Sequence, residues 1–488
     1  MRGVVAAGHP LTAEAGAEIL RAGGNAVDAA LAAMLTSFVT EPLLTGLGAG
    51  GYMLVAAPGQ QDALLDFFVA APSDGDRAPL VPVDVSFGDA NQVFNIGAAS
   101  CGAYGAPAGV HAASERYGTI PLAELCAPAA ALARAGVEVN QQQAYLFEIL
   151  APITELTAES RALFMPDGRP HALGEVHRDP VLADALELLG AEGPAPFYTG
   201  DVAAAVVDWV QERGGTLGRA DLAAYGAIPR EPVRVAYRGR EVLTNPPPSA
   251  GGTLLAYALA LLEREHGESG PPTPVELARA MERAQSERTP GFLDGLAEPG
   301  FLESFMASRL GSTTHISVMD EAGWACAVTC TNGEGSGLVV PGTGIHVNNM
   351  MGEQDLSPLG YFTHPPGRRL PSMMAPTIVL SGGRPELALG SAGSNRIRSA
   401  LLQVIVNVID RGMDAQAAVE APRLHWEDGS VYAEPGIDLE ALAAAGYAVS
   451  PFRERNLFFG GCQAVERDAD GVLSGGGDPR RGGAVVSV

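Results

Sequence analysis

The sequence contains no lysine, so all 31 of its basic residues are arginine, and 56 acidic residues outnumber them. The formal net charge is −25 at pH 7. Nucleic acids and anionic membrane surfaces attract proteins that carry clustered positive charge. The charge balance therefore argues against a nucleic-acid partner and against docking on a membrane.

Cysteine is also scarce, with five residues that are odd in number, scattered and free of any CxxC pair: Cys101, Cys126, Cys326, Cys330 and Cys462. Such usage excludes a disulfide framework and suits a reducing compartment. Apolar runs long enough to cross a membrane are absent, and the first residues do not show the pattern of a signal peptide. We therefore expect a cytoplasmic protein.

The nine histidines are dispersed and none forms a metal-binding pair such as HExxH. The sequence therefore predicts neither a metal site nor a cofactor. Hydrophobic residues, at 47% of 488 residues, are abundant enough to form a large core.

The N-terminal hundred residues predict two helices followed by a strand pair. The first helix is expected to begin with Thr12 as its N-cap and to end near Arg21, before two glycines. The second starts near Asn25 and runs to about Phe38, and its apolar composition predicts burial on all sides. A glycine-rich turn then leads into two strands joined by "PGQQD".

Residues from about 110 to 290 are mainly helical in pattern, whereas strands dominate after Thr313. Cys326 and Cys330 lie four residues apart in one predicted strand, so both should face the same core. Helices before and after a stack of antiparallel strands predict an α+β fold in which two sheets lie between helical layers.

Several segments resemble the γ-glutamyltranspeptidase family, in that family's order and over nearly the whole chain. They include "HPLTAEAGAEILRAGGNAVDAA", "EPLLTGLGAGGYML", "NPPPSAGG", "TTHISVMDEAGWACAVTCTNGEGSG", "MAPTIV", "GSAGSNRI" and "DPR". The resemblance implies an N-terminal-nucleophile (Ntn) hydrolase with a four-layer αββα sandwich and two central, mainly antiparallel sheets. It also implies a small-molecule substrate.

The resemblance further implies that the chain cuts itself between Ser312 and Thr313. A large subunit (1–312) and a small subunit (313–488) would then form a heterodimer that shares one composite αββα domain; a higher oligomer stays open. A threonine hydroxyl needs a base, and a free α-amine with a pKa near ~8 can serve at neutral pH. Thr331 would orient this nucleophile, and the backbone amides of Gly393 and Ser394 would bind the oxyanion.

The positions that hold a γ-glutamyl α-carboxylate in the family are altered here. Phe68 stands where the family has an arginine. Of the two family serines before the "PTIV" segment, Ser372 is kept and Met373 replaces the other. Because an arginine–carboxylate fork is a strong pair, a phenylalanine removes more than one ordinary hydrogen bond.

The positions that hold the γ-glutamyl amine are better preserved. Asn332 matches the family's asparagine after a one-residue shortening, and Glu353 stands for its aspartate, whereas Met350 replaces a glutamine. We therefore expect a substrate pocket that is partly apolar, with an acidic residue left to meet an amine or a polar edge.

The sequence thus predicts a self-processing Ntn hydrolase or acyltransferase that attacks an amide or related carbonyl of a partly apolar, non-γ-glutamyl substrate. One alternative is a C–C bond hydrolase of a natural-product (alkylproline-type) pathway. Another is an authentic glutathione γ-glutamyl hydrolase or transferase, with Arg396, or Arg368 and Arg369, supplying the missing cation. A third is an unprocessed homologue without activity.

Overall fold

The computed structural model describes residues 2–86, 91–266, 270–286, 314–357 and 360–488. Ser312 and Thr313 lie outside these ranges. The strands are β1 (Gly3–Ala7), β2 (Gly50–Ala56), β3 (Ala63–Phe67), β4 (Val81–Ser86), β5 (Asn91–Ile96), β6 (Val137–Glu138), β7 (Val176–His177), β8 (Ile228–Arg230), β9 (Val233–Tyr237), β10 (Arg240–Thr244), β11 (Thr314–Asp320), β12 (Ala325–Thr331), β13 (Val339–Val340), β14 (Ile345–His346), β15 (Thr377–Ser381), β16 (Arg384–Ala392), β17 (Leu424–Glu427), β18 (Ser430–Ala433), β19 (Ala448–Pro451), β20 (Gly461–Arg467), β21 (Leu473–Gly477) and β22 (Ala484–Ser487).

The helices flank these strands on both sides. They are α1 (Pro10–Arg21), α2 (Ala26–Thr40), α3 (Ala106–Tyr117), α4 (Leu122–Ala135), α5 (Gln141–Ile149), α6 (Ala151–Thr154), α7 (Ala158–Phe164), α8 (Pro180–Glu192), α9 (Ala195–Tyr198), α10 (Asp201–Gln211), α11 (Arg219–Ala223), α12 (Ala250–His266), α13 (Pro274–Ser286), α14 (Arg396–Ile409), α15 (Ala415–Glu420) and α16 (Leu439–Ala444). Among the helices in the described ranges, none is long and apolar enough to cross a membrane.

Two large sheets form the centre of the molecule. The first has seven strands in the order β22-β1-β11-β12-β2-β3-β8, and the second has six in the order β21-β20-β16-β15-β10-β9. The pairings between their long strands are antiparallel. The two sheets face each other, with β11 against β16 and β20.

Helices cover the outer face of each sheet. In the first sheet β1, β11 and β12 pack against α1 and α2, and in the second β9 and β16 pack against α12 and α14. The protein is therefore an αββα four-layer sandwich with two central antiparallel sheets, which confirms the predicted fold class.

Three buried clusters correspond to the three interfaces between these layers. One lies between the first sheet and its helices, a second between the other sheet and its helices, and a third between the sheets. Cys326 and Cys330 both lie in the first cluster, as their spacing predicts. Burial of apolar area on this scale is the main favourable contribution to folding.

The two N-terminal helices differ in how well the sequence predicted their starts. For α2 the prediction is confirmed, because Asn25 caps Val27 N and Asp28 N and every residue of the helix is buried. For α1 the predicted N-cap was wrong. His9 caps the helix instead through Nδ1, which accepts from Leu11 N, and the Thr12 hydroxyl bonds the Thr40 hydroxyl 2.8 Å away.

Candidate functional site

At one end of the seven-stranded sheet, the termini of five neighbouring strands lie side by side: β1, β11, β12, β2 and β3. Thr314 begins β11 and pairs with Cys330, next to Thr331 at the end of β12. Thr331 in turn pairs with Gly50 at the start of β2. The end of β3 and the end of β1 lie at the same end of the sheet, because antiparallel neighbours alternate in direction. Thr313, the predicted nucleophile, directly precedes Thr314 in sequence.

Thr331 is held rigidly at this end of the sheet. Its side chain is buried, and its Oγ1 accepts a hydrogen bond from Gly333 N at 2.7 Å. The hydroxyl proton stays available for a second partner, since a hydroxyl can donate and accept at once.

The predicted oxyanion turn lies between β16 and α14. Gly393 has φ +119° and Ser394 has φ +56°. A Cβ on Gly393 would approach Gly460 Cα to 2.7 Å, so this position requires glycine for both conformation and space. Ser394 holds a left-handed conformation that costs a non-glycine residue about 1 kcal/mol.

Thr331 and Gly393 line the same cleft, so the structure brings together two elements that are 62 positions apart in sequence. The other polar lining residues are Gln92, Glu334, Arg396 and Arg481. The apolar wall consists of Leu44, Phe94, Leu146, Ile149, Leu150 and Leu457. This cleft therefore presents an apolar surface and a polar surface side by side.

Glu41, which the sequence analysis missed, is a buried carboxyl beside Thr314, the residue that follows the expected nucleophile in sequence. Thr314 Oγ1 donates a hydrogen bond to Glu41 Oε1 at 3.2 Å, while Oε2 is buried with no hydrogen-bond partner in the described ranges. Burial raises the pKa of Glu41 to about 7, although the Thr314 hydroxyl and the Arg481 charge act in the opposite direction. A carboxyl of this kind exchanges protons near neutral pH.

Two arginines form the polar end of the cleft. Arg396 is buried, its Nε donates to the Phe458 carbonyl at 2.9 Å, and its guanidinium lies 4.6 Å from the centre of the Phe458 ring. Arg481 is partly buried, and desolvation together with the neighbouring Arg396 lowers its pKa to about 10. The sequence signal for Arg481 was its place directly after the quoted "DPR" segment.

The residues predicted to meet an amine lie together. A Cβ on Gly333 would come within 2.0 Å of Asn349 Oδ1 and 2.8 Å of Glu353 Oε1, so the glycine lets these groups approach the end of β12. The Asn332 backbone bonds Leu44 and Asn349, and both polar atoms of its side chain are buried without a hydrogen-bond partner in the described part of the chain.

The positions predicted to meet the α-carboxylate lie just after β3 and just before β15. Phe68 follows β3, is 1% exposed and stacks on Tyr52 with ring centres 5.5 Å apart. Ser372 is fully buried, and its hydroxyl contacts Tyr52. Met350 lies in the same core cluster as Phe68, between the sheets, whereas Met373 lies in the cluster beneath the second sheet. Phe68 and Met350 therefore share one buried cluster, whereas Met373 belongs to another and adjoins Ser372 in sequence. Neither methionine is among the lining residues of the cleft given above.

Arg369 is engaged in a buried ion cluster behind Phe68. Its Nε lies 3.3 Å from Asp66 Oδ1, and its guanidinium stacks 4.1 Å from the centre of the Tyr225 ring. Arg230 Nε contacts the other Asp66 oxygen at 2.7 Å. Asp66 thus already neutralises the cation that could have replaced the missing arginine.

His315 occupies the space between the two sheets. Its ring nitrogens bond the hydroxyls of Thr329 and Ser317 at 2.7 and 2.8 Å, and burial lowers its pKa to about 3. A histidine held neutral in this way joins β11 to β12 and packs against Gly390 of the second sheet, rather than carrying a proton to substrate. No group of three or more metal-binding side chains occurs among the described residues.

A sequence model described as Gamma-glutamyltranspeptidase matches residues 12–299 and 301–488 of this chain. The Acylase ACY 1 proenzyme of Pseudomonas sp. (strain SE83) is 32% identical, over 100% of this chain and 94% of that protein. The glutathione hydrolase proenzyme of Escherichia coli (strain K12) is 33% identical, over 98% of this chain and 90% of that protein. The crystal structure of cephalosporin acylase from Bacillus halodurans superposes with a TM-score of 0.84 at 28% identity, over 99% of this chain and 95% of that one.

Proposed function

Since the chain belongs to the γ-glutamyltranspeptidase family and is an Ntn hydrolase or acyltransferase of that type, we propose that Thr313 is its nucleophile and that cleavage after Ser312 creates it. Residues 1–312 and 313–488 would remain together as a heterodimer. The relatives' description as proenzymes supports this processing. The five free, buried cysteines suit the cytoplasmic location that we propose with it.

In the proposed reaction the Thr313 hydroxyl attacks the substrate carbonyl while the α-amine of Thr313 takes its proton. The oxyanion that forms accepts hydrogen bonds from the Gly393 and Ser394 amides. The leaving group receives the proton, and water or an amine then displaces the acyl group from the threonine oxygen. Thr331 orients the nucleophile, and its fixed hydrogen bond to Gly333 supports that role.

The substrate that we propose is an amide, or a related carbonyl compound, that is partly apolar and carries no γ-glutamyl group. The observation that carries this proposal is the stacking of Phe68 on Tyr52 at the position of the family's arginine. The α-carboxylate of a γ-glutamyl group placed there would lack a counter-charge, because Arg369 is bound to Asp66. The apolar wall of the cleft and the acylase names of two similar proteins agree with this substrate class.

Asn332 and Glu353 would meet a polar or cationic edge of the substrate, and Phe68, Ser372, Met350 and Met373 would shape the head-group region around it. The glutathione hydrolase of Escherichia coli, at 33% identity, favours γ-glutamyl transfer or hydrolysis as the second candidate. Cleavage of a C–C bond next to a carbonyl would use the same nucleophile and the same oxyanion donors.

Two measurements test the proposal. Intact-mass analysis should show two pieces for the wild type and for Thr313→Ser, which keeps a hydroxyl, and one chain of 50.2 kDa for Thr313→Ala. The wild type should hydrolyse hexanoyl-p-nitroanilide faster than γ-glutamyl-p-nitroanilide. Cleavage of Thr313→Ala would refute the nucleophile, and the reverse order of rates would refute the substrate class.

A further inference from the structure

The polar end of the cleft has a charge opposite to that of the protein as a whole. Arg396 and Arg481 lie close enough to lower the pKa of Arg481, and the acidic groups that act on Arg481 are Glu334, Glu41 and Asp478. Asp478 forms ion pairs with Arg423 and Arg480, and Glu41 is largely protonated below pH 7. Glu334 lines the cleft with the two arginines, so the guanidinium groups outnumber that one carboxylate there. In a protein with a net charge of −25, two guanidinium groups that share one cleft are therefore notable.

Arg396 stands where a cation is disfavoured. It is the first residue of α14, a helix of 14 residues, and the positive end of a helix dipole disfavours a positive side chain by roughly 0.3–1 kcal/mol. Glu427 contributes an attractive charge, yet the guanidinium itself is fixed by the Phe458 carbonyl and ring. The helix N-terminus and the side chain thus both offer positive charge to the cleft.

Arg481 is held beside the oxyanion turn. Its aliphatic part packs so closely on Gly461 that a Cβ there would approach Arg481 Cδ to 2.5 Å. One guanidinium nitrogen lies 3.6 Å from the Cβ position of Gly393. Arg481 Nε is buried, and no described residue accepts a hydrogen bond from it. A planar, pre-positioned guanidinium with an unused donor is suited to a carboxylate.

We propose that Arg481, assisted by Arg396, binds a carboxylate group of the substrate, whose apolar part lies along Phe94, Leu146, Ile149 and Leu457. The substrate class then narrows to anionic, amphipathic acyl compounds. The inference rests on the proposed function for the reaction, although binding of the anion itself does not require turnover.

This anion site differs in position from the head-group site that Phe68 alters. Phe68 lies beyond β2, directly after the end of β3, on one side of Thr331. Arg481 lies on the other side, towards the end of β1, where the Gly8 carbonyl is 3.5 Å from the Cβ position of Gly482. A substrate bound by Arg481 therefore extends away from Phe68, so the loss of the family's arginine does not prevent recognition of an anion.

The experiment uses titration calorimetry to measure the binding of octanoate and of 1-octanol to the wild type. Neither compound can be hydrolysed, and 1-octanol lacks the negative charge. Octanoate should bind the wild type at least ten times more tightly than octanol, and Arg481→Gln should weaken octanoate binding by roughly 10- to 100-fold. Arg481→Lys should keep part of the affinity. Arg264→Gln, at an exposed position of α12, should change nothing.

Equal affinity for octanoate in the wild type and Arg481→Gln, or no octanoate binding at all by the wild type, would overturn the inference. The thermal midpoint of Arg481→Gln shows whether the variant is folded. A wild type that binds octanoate through Arg481 but neither cleaves itself nor hydrolyses an acyl anilide would leave the anion site intact and refute the proposed function instead.

Discussion

Replacing Glu41 with glutamine should make the enzyme more stable at alkaline pH. In the folded protein, burial raises the pKa of this carboxyl from 4.5 to about 7. Folding then favours the neutral form, so the stabilising contribution is complete below pH 4.5 and is lost as pH rises through 7. Glutamine keeps the shape and can accept the hydrogen bond from Thr314, but it carries no charge to desolvate.

The size of the effect follows from the shift. Each pKa unit corresponds to 1.36 kcal/mol, so the full cost of ionising Glu41 in the folded state is roughly 3 kcal/mol. About 2 kcal/mol of this cost arises between pH 5.5 and pH 8. Unfolding entropy for a chain of 488 residues is about 1 kcal/mol per kelvin, so the thermal midpoint should shift by about 2 °C.

The assay compares thermal midpoints at pH 5.5 and pH 8, above the sequence pI of 4.7 to avoid precipitation. From pH 5.5 to pH 8 the wild type should lose about 2 °C more than Glu41→Gln, because all other titrating groups are common to both. Glu115→Gln, an exposed change on α3, should follow the wild type. If Glu41→Gln and the wild type show the same pH dependence, Glu41 is ionised normally and the reasoning is wrong.

Three further predictions concern the Thr331 hydroxyl, the turn at Gly393 and the buried ion cluster around Asp66. Thr331→Val should lower the rate of self-cleavage at least tenfold, measured by gel analysis over time. It should also leave the buried Gly333 N–H unpaired, which lowers the free energy of unfolding by about 1–3 kcal/mol. Thr331→Ser keeps a hydroxyl and should retain both the cleavage rate and the stability. Gly393→Ala should abolish hydrolysis, and an active Gly393→Ala would contradict the oxyanion assignment. Ser394→Gly should keep hydrolysis and raise the free energy of unfolding by about 1 kcal/mol, because Ser394 has a φ of +56°. Asp66→Asn should lower the free energy of unfolding in urea by about 3–5 kcal/mol, because it breaks two buried ion pairs, and a loss below 1 kcal/mol would argue against them.

The layers and the central hairpin could be predicted because the relevant signals are local. Alternating strands on each side of "EAGW" specify β11 and β12, and a capped, wholly apolar segment after Asn25 specifies α2. The cap of α1 was missed because His9 and Thr12 are both near the helix start, and only the contact between Thr12 and Thr40 decides which one is used.

The anionic and cationic groups of the cleft could not be predicted in the same way. Glu41 follows α2 and Arg481 lies close to the C-terminus, and their relation to Thr331 depends on strands that are distant in sequence. Glu41 begins the family-like segment "EPLLTGLGAGGYML" and Arg481 directly follows "DPR", but neither segment indicates which side chain faces the cleft. By contrast, Phe68 was recognisable from the sequence because it replaces an arginine within an otherwise matching segment.

The interleaving of strands determines what the proposed cleavage can do to the molecule. In the first sheet β11 and β12, from the smaller piece, lie between β1 and β2, from the larger one, and the second sheet joins β15 to β10 across the same division. Because β22 of the smaller piece also pairs with β1, separating the two pieces would mean breaking four strand–strand ladders within the two sheets. The cut would therefore free one amine and leave a molecule that melts as a single cooperative unit, so dissociation could not serve as a way to switch the enzyme off.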